Sequence, residues 1–149
     1  VAEGVIVMKT ETLAMIMVDI DQFAAYADWY GHEQSDLVLR DIAAELKAAI
    51  QPAGDILARF DTERFALALP GMEEKAACLF AESLRLRVGT LKIANDSVTE
   101  GKHVAISLGV AVMQKPDSEQ LGNPVEALIA VADAALYRAK EGGRNRVES

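Results

Sequence analysis

The sequence predicts an α+β domain in which helices pack on a largely antiparallel sheet. Three observations lead to this prediction. Leu13 to Val18 is a continuous apolar run that is too short for a helix and indicates a buried strand. Asp55 to Phe60 and Phe65 to Leu69 are apolar segments joined by four polar residues, which is the spacing of a hairpin. The elements follow the order β-α-α-β-β-α-β-α, and this mixed order is typical of α+β folds.

Two helices are predicted between the first strand and the hairpin. Asp21 stands where an N-cap would open a short helix, which Gly31 ends. Ser35 and Asp36 then open a longer helix, whose apolar residues recur every four positions and form one stripe. That stripe consists of Val38, Ile42, Leu46 and Ile50, and the helix ends at Pro52, Ala53 and Gly54.

The second half of the chain is predicted to contain two more helices and one more strand. A helix from Glu73 to Val88 comes first, a polar loop or weak hairpin follows at 95–102, and His103 to Met113 forms a strand. Asn123-Pro124 opens the last helix, and Gly142-Gly143 ends it. The apolar faces of these helices are predicted at Ala76, Ala77, Phe80, Leu84 and Leu86, and at Leu128, Val131, Ala135 and Leu136.

Composition limits the function. The 149 residues suffice for one domain, so we treat 1–149 as a single unit. A net charge of −8 argues against unspecific binding to nucleic acid or anionic lipid. No apolar run approaches the ~20 residues of a membrane span. The single cysteine, Cys78, is interpreted as a core residue. Because one cysteine cannot form a disulfide within the chain, the sequence fits a reducing compartment, and we expect a cytoplasmic location. The first residue is Val1 and not Met, which indicates a piece of a longer protein that has other domains and could be tethered to a membrane by them.

The acidic end of the first strand is the first candidate site. Asp19 ends a buried strand, and the helix that starts after Asp21 offers backbone N–H groups to an anion. Together these features could hold Mg²⁺ beside a phosphate. The structural alternative, favoured on spacing alone, is that Asp21 caps the helix and that Asp19 pairs with a basic side chain.

Two further polar groups could contribute to the same site. In the hairpin tip, Glu63 could face Asp19, or the tip could be a solvated turn. The last helix ends in phenolic and cationic groups that could hold phosphates or could complement the helix dipole. Those groups are Tyr137, Arg138, Lys140, Arg144 and Arg146. His32 and His103 have no partner at metal-ligand spacing and are interpreted as structural.

Together these segments resemble the GGDEF family of diguanylate cyclase domains over Leu13 to Val147. The order and spacing of the segments make the resemblance specific, and the segment near the C-terminus carries most of it. The segments are Asp19-Ile20-Asp21-Gln22-Phe23, Tyr30-Gly31-His32, Asp36 with Val38-Leu39-Arg40, Arg59-Phe60, Phe65 with Leu69-Pro70, Ser107-Leu108-Gly109-Val110-Ala111, Ala132 to Lys140, and Gly143-Arg144-Asn145-Arg146.

The resemblance implies a palm-like sheet with a ferredoxin-like core, similar to nucleotidyl cyclases, and a reaction that joins two GTP molecules into cyclic di-GMP. In the family two subunits meet face to face, so a homodimer is expected, and two Mg²⁺ ions clamp the triphosphate. The implied metal ligands are Asp19, Glu63 and the carbonyl of Ile20. The implied nucleotide contacts are Asp36 at the guanine edge, Lys140 and Arg144 at the triphosphate, and Phe23.

This sequence departs from the family at the signature loop. The loop should contain two glycines followed by two acids and Phe, but here Asp61 and Thr62 replace the glycines and Arg64 replaces the second acid. Glycines allow a tight turn with positive φ and a close approach of backbone to nucleotide. Loss of one essential catalytic group commonly costs on the order of 10³-fold in rate. No catalytic residue is therefore expected at Arg64.

Other departures affect base recognition and feedback. Ala27 stands where the family has a guanine-binding Asn, which costs roughly 1–3 kcal/mol if the base edge is left unpaired. Ala24 stands where a Lys near the phosphates is usual. The product-inhibition motif, Arg-x-x-Asp, is replaced by Pro52-Ala53-Gly54-Asp55. The usual segment before the first strand is also absent, so residues 1–12 are divergent or truncated.

These losses favour a degenerate GGDEF domain without cyclase activity, which serves as a signalling or interaction module in a larger bacterial-type protein. One alternative is a regulatory sensor that still binds Mg²⁺-GTP or another nucleoside triphosphate. A second alternative is a weakly active cyclase, in which Asp61 or a partner subunit replaces the lost acid.

Overall fold

The structure, a computed structural model, describes residues 12–99, 103–114 and 124–149. Within these residues a five-stranded sheet carries helices on both faces, and its strand order is β2-β3-β1-β4-β5. The strands are β1 (Thr12–Ile20), β2 (Ile56–Arg59), β3 (Arg64–Pro70), β4 (Ile106–Gln114) and β5 (Val147–Glu148). The helices are α1 (Phe23–Tyr30), α2 (His32–Ala49), α3 (Glu74–Gly89) and α4 (Pro124–Glu141). The predicted α+β fold with a largely antiparallel sheet is confirmed, because among the described strands only β4 and β5 pair in parallel.

The central strand β1 is buried on both faces, which explains its continuous apolar sequence. Alternate residues point to opposite sides, so Ile16 and Val18 join one core while Met15 and Met17 join the other. The first core lies under α1, α2 and α3. The second lies under α4. The two cores enclose β1, and its last residues, Asp19 and Ile20, are buried like the rest of the strand.

The close packing of α4 on the sheet depends on Gly109. A Cβ atom at this position would stand 2.1 Å from the carbonyl oxygen of Ala132 and 2.2 Å from the backbone nitrogen of Leu136. Both atoms belong to the backbone of α4, so they cannot move aside as a side chain could. Gly109 therefore sets how near α4, and the polar groups it carries, come to the end of β1.

Several helix boundaries differ from the sequence prediction. The helix α2 begins at His32 and not at Ser35, because Gly31 adopts a positive φ of 86° that turns the chain directly from α1 into α2. The hydroxyl of Ser35 lies within α2 and donates to the carbonyl of Gly31 at 2.7 Å. Ile50 lies just beyond the end of α2 and is only half-buried.

The predicted faces of the later helices are partly wrong. In α3, Leu86 is 53% exposed and Ala76 is exposed, while Ala81 and Val88 are buried. In α4, Val131 is 57% exposed. Both helices contain many alanines and leucines on all sides, so the apolar pattern alone does not identify the buried face.

The strand predicted from His103 starts at Ile106. His103 instead forms an isolated bridge with Ala94, which is consistent with the weak hairpin considered from the sequence. Residues 100–102 and Asn123, which was predicted to open α4, lie outside the described residues. The short strand β5 was not predicted. Among the described helices, none has the length and the apolar sequence that a membrane span requires.

Candidate functional site

Asp19 lies at the end of β1 and is 4% exposed, in a position where a carboxylate needs a partner. The ammonium of Lys140, on α4, supplies one by pairing with the Asp19 carboxylate. Burial raises the pKa of Asp19 above its usual range, even though the hydrogen bond and charge of Lys140 act in the opposite direction. The structure thus shows Asp19 in the pairing with a basic side chain that was considered as the structural alternative.

Asp21 does not cap α1, which corrects the sequence prediction. The N-cap position is Gln22, in the left-handed region at φ 51°, and it makes no side-chain capping bond. One carboxylate oxygen of Asp21 accepts from the Ser107 hydroxyl at 2.5 Å, and the other accepts from the backbone N–H of Asn145 at 2.9 Å. Burial raises the pKa of Asp21 despite these two bonds. Asp21 therefore anchors the loop after α4 to the sheet.

The backbone carbonyls of the hairpin tip accept hydrogen bonds from a side chain of the same hairpin. The guanidinium of Arg59 donates from Nε to the carbonyl of Asp61 at 3.0 Å and from a terminal nitrogen to the carbonyl of Thr62 at 2.7 Å. Among the described non-glycine residues, positive φ occurs elsewhere but not at Asp61 or Thr62. The turn therefore forms without the left-handed geometry that glycines would allow, and its carbonyls face a side chain of the same hairpin.

Arg64, the first residue of β3, joins this tip to α4. Its Nε donates to the carboxylate of Asp61 at 2.8 Å, and a terminal nitrogen donates to the carboxylate of Asp133 at 2.8 Å. The guanidinium carbon also lies 4.7 Å from the centre of the Phe60 ring. Burial raises the pKa of Asp61, but the hydrogen bond and charge of Arg64 outweigh it and lower that pKa below its usual range.

Glu63 is half-buried beside Asp19, and its backbone carbonyl accepts from the N–H of Ile20 at 3.1 Å. Burial raises the pKa of Glu63, and the negative charges of Asp19 and Asp61 raise it further. Two carboxylates and the end of β1 therefore meet at the hairpin tip, as the sequence suggested. The position of Ile20 is fixed by this bond and by its pairing with β4.

A cleft of about 480 Å³ opens between α2 and the hairpin. Asp36, predicted to contact a guanine edge, lines this cleft from the exposed side of α2. Leu39 and Phe65 provide apolar surface, and the cations Arg40 and Arg59 line it as well. Its size and mixed lining suit a flat ring with polar edges. Arg59, which lines the cleft, also donates to the carbonyls of the hairpin turn.

The other predicted nucleotide contacts occupy different surroundings. Phe23 is 7% exposed and stacks with Tyr26 at a ring distance of 6.3 Å, so its ring belongs to the core. Lys140 is half-buried and paired with Asp19. Arg144 is exposed at φ 64°, and its positive charge offsets a small part of the rise that burial causes in the pKa of Asp21. The structure places Asp19, Glu63 and Lys140 together but gives Phe23 a packing role.

The side chains at this end of the sheet do not fit the pair of Mg²⁺ ions that the family implies. Two such ions need several oxygen ligands around each of them. The described residues contain no group of three or more His, Cys, Asp or Glu side chains that could hold an ion. The Asp19 carboxylate already contacts the ammonium of Lys140, and the guanidinium of Arg64 already pairs with the carboxylates of Asp61 and Asp133.

Sequence reasoning gave no role to Asp133, Arg59, Ser107 or Asn145. One signal for Asp133 was available, because it precedes Lys140 by seven residues and so lies on the same side of α4. The contacts of Arg59, Ser107 and Asn145 depend on the geometry of a turn or on the sheet register, which a local sequence pattern does not reveal. Ser107, for example, is the cross-strand partner of Asp19.

Comparisons with known proteins agree with the fold and identify the family. The family described as "Diguanylate cyclase, GGDEF domain" matches residues 5–146. Diguanylate cyclase A of Treponema denticola is 36% identical over 140 residues, which cover 93% of this chain and 35% of that protein. The chain thus spans about a third of the length of this curated relative.

Two solved structures are similar as well. The GGDEF domain of DgcB from Caulobacter crescentus, in complex with c-di-GMP, superimposes with a TM-score of 0.78 at 29% identity over 93% of this chain and 77% of that one. Diguanylate cyclase SiaD from Pseudomonas aeruginosa, in complex with its activator SiaC, gives a TM-score of 0.73 at 28% identity over 92% of this chain and 49% of that one. The chain belongs to the GGDEF, or diguanylate cyclase, domain family.

Proposed function

We propose that this domain has lost cyclase activity and serves as a signalling or interaction module in cyclic di-GMP-related signalling. The observation that carries the proposal is the bonding of Arg64. Its guanidinium bridges the carboxylates of Asp61 and Asp133 at 2.8 Å each, in the place of an acid that the family uses at its metals. A cation there repels divalent metal ions and leaves the attacking hydroxyl without a carboxylate.

The hairpin turn supports the same proposal. Phosphate cradles are built from backbone groups that point at the ligand, usually with glycines that let the chain approach closely. Here the turn carries the side chains of Asp61 and Thr62, and Arg59 occupies its carbonyls. Asp61 adds negative charge beside the expected triphosphate. The carboxylate of Asp61 already forms an ion pair with Arg64. That bond also counts against Asp61 as a replacement for the lost acid.

A role in protein contact agrees with what one relative does. The solved structure of SiaD contains its activator, SiaC, so a GGDEF protein of similar fold binds a protein partner. A domain that keeps its shape without its chemistry can still transmit a signal through such a contact. The chain spans only about a third of the length of its curated relative. Three points therefore stay predictions: the partner of this chain, the homodimer expected from the family, and the activity of the whole protein.

A turnover assay tests the proposal. The purified chain is incubated with GTP and either Mg²⁺ or Mn²⁺, and the products are separated by chromatography. We expect no cyclic di-GMP, with a rate on the order of 10³-fold or more below that of an active relative measured in parallel. Because the family works in pairs, the assay is repeated at high protein concentration. Cyclic di-GMP formed at ordinary rates would overturn the proposal.

A nucleotide sensor is the second candidate function, and the cleft beside Asp36 favours it. The cleft has the volume of a small-ligand site. The two cations that the resemblance assigns to the triphosphate are also present, Lys140 in the last turn of α4 and Arg144 in the loop that follows it. Calorimetry with GTP decides between the candidates. If the domain is a sensor, Lys140→Ala should weaken GTP binding, whereas Lys47→Ala, the same change on the exposed face of α2, should not. No heat at millimolar GTP would exclude a useful site.

A further inference from the structure

The outer face of α4, which points away from the sheet, is apolar between its two ends. Ala127, Ala130 and Ala134 are exposed on successive turns of the helix. Val131 and Tyr137 flank them, with 57% and 64% of their surface exposed. Because a helix on the surface of a folded domain turns mainly polar residues to solvent, an apolar outer face indicates a contact surface.

An apolar cleft of about 370 Å³ opens beside the first half of this face. Ala127 and Val131 line it from α4, and Val112 and Met113 line it from the end of β4. Its volume and lining suit one large aromatic side chain. Tyr137 of the same chain cannot enter the cleft, because ten residues of helix, about 15 Å, separate it from Ala127.

The outer face of α4 carries opposite charges at its two ends. Glu126 is exposed in the first turn, and Arg138 is exposed in the last. The guanidinium of Arg138 also donates to the carbonyl of Ser149 at 3.0 Å, which holds it at the rim of the face. When two such helices run antiparallel, the acidic end of each lies against the basic end of the other.

An antiparallel pairing of two α4 helices places each of these features opposite its complement. With a two-fold axis midway between Ala130 and Ala134, these small side chains face each other and let the two backbones approach closely. The ring of Tyr137 then arrives at the apolar cleft of the second copy. The residues that lie at equal distances on either side of the axis give the outer pairs, which are Ala127 opposite Tyr137 and Glu126 opposite Arg138.

We propose that two copies of this chain associate through the outer faces of their α4 helices, antiparallel about a two-fold axis, with Tyr137 of each copy seated in the apolar cleft of the other. Every contact is made twice in such a symmetric pair. This pairing differs from the face-to-face dimer that the family resemblance implies, because it uses no residue of the hairpin tip or of the end of β1. It goes beyond the proposed function and does not depend on the loss of cyclase activity.

Sedimentation equilibrium of the purified chain over a range of concentrations tests the pairing. We expect a monomer–dimer equilibrium that Tyr137→Ala weakens about 10-fold or more, because the change removes the aromatic ring from both halves of the interface. Ala134→Arg, which places a charged side chain beside the axis, should abolish the dimer. Leu79→Ala, at a residue of α3 that is also 64% exposed, is the matched control and should leave the equilibrium unchanged.

Charge reversal tests the register of the two helices. Glu126→Arg and Arg138→Glu should each weaken the dimer, because each change places like charges opposite one another. An equimolar mixture of the two variants should restore association, since the mixed dimer again pairs opposite charges at both ends. A variant that was merely less stable as a monomer would not recover on mixing.

Three results would each overturn the proposal. A natural chain that stays monomeric at every concentration would leave the outer face of α4 to a different partner. A dimer that persists unchanged in Tyr137→Ala and Ala134→Arg would have its contacts elsewhere on the surface. Failure of the mixed charge variants to associate would exclude the antiparallel register. Formation of cyclic di-GMP from GTP bears on the proposed function alone.

Discussion

Cyclic di-GMP should form from GTP when the signature loop and the base contact are restored together. The restored chain carries Asp61→Gly, Thr62→Gly, Arg64→Glu and Ala27→Asn. The first three changes release the turn and replace a cation by an acid at the metals, and the last returns a partner for the guanine edge. The rate should rise on the order of 10³-fold or more above the natural chain, measured by chromatography of the products.

Partial sets of these changes separate the contribution of the loop to turnover from that of the base contact. Ala27→Asn alone should leave the chain without product, since the loop still lacks its acid. The three loop changes alone should allow Mn²⁺ binding but give slower turnover than the full set, because an unpaired guanine edge costs roughly 1–3 kcal/mol. If the restored chain binds Mn²⁺ and GTP yet forms no product even at high protein concentration, the loop is not what prevents catalysis.

Gly109→Ala should destabilise the domain severely. The new Cβ would stand 2.1 Å from the Ala132 carbonyl oxygen, so α4 must move away from the sheet. Overpacking of a core usually costs about 1–3 kcal/mol and sometimes more, and contact with rigid backbone places this change at the upper end or beyond it. The loss is measured by urea unfolding, against a total stability of about 5–15 kcal/mol for a domain.

A matched control exists at the end of α3. Gly89→Ala places a methyl group where no atom lies within 4 Å. Since Ala favours helix over Gly by about 1 kcal/mol, this variant should be neutral or slightly more stable. If Gly109→Ala were as stable as the natural chain, α4 would not pack on β4 as described. The positions of Lys140 and Asp133, which both lie on α4, would then be wrong as well.

The sequence predicted well those elements whose pattern follows from burial. Leu13 to Val18 is apolar throughout because β1 is covered on both faces, and the stripe Val38, Ile42 and Leu46 of α2 lies in the core as predicted. The hairpin followed from its spacing, with ends that differ by one residue. In each case a local pattern has a single structural explanation.

The site could be predicted only in part, because its bonds join distant segments. Asp19 and Glu63 were singled out together, yet the partner that holds Arg64 is 69 residues away, and the N–H group that binds Asp21 belongs to a residue 124 positions away. Local spacing favoured Asp21 as a helix cap, whereas tertiary bonds from Ser107 and Asn145 engage its carboxylate instead. Such contacts are set by the sheet register and by the packing of α4.

The most direct test of the lost activity is a crystal structure grown with a non-hydrolysable GTP analogue and Mn²⁺, with anomalous scattering used to locate the metal. We expect no manganese between Asp19 and Glu63, and an Arg64 guanidinium that still bridges Asp61 and Asp133. Two manganese peaks beneath an ordered triphosphate, with Arg64 displaced from both carboxylates, would contradict it.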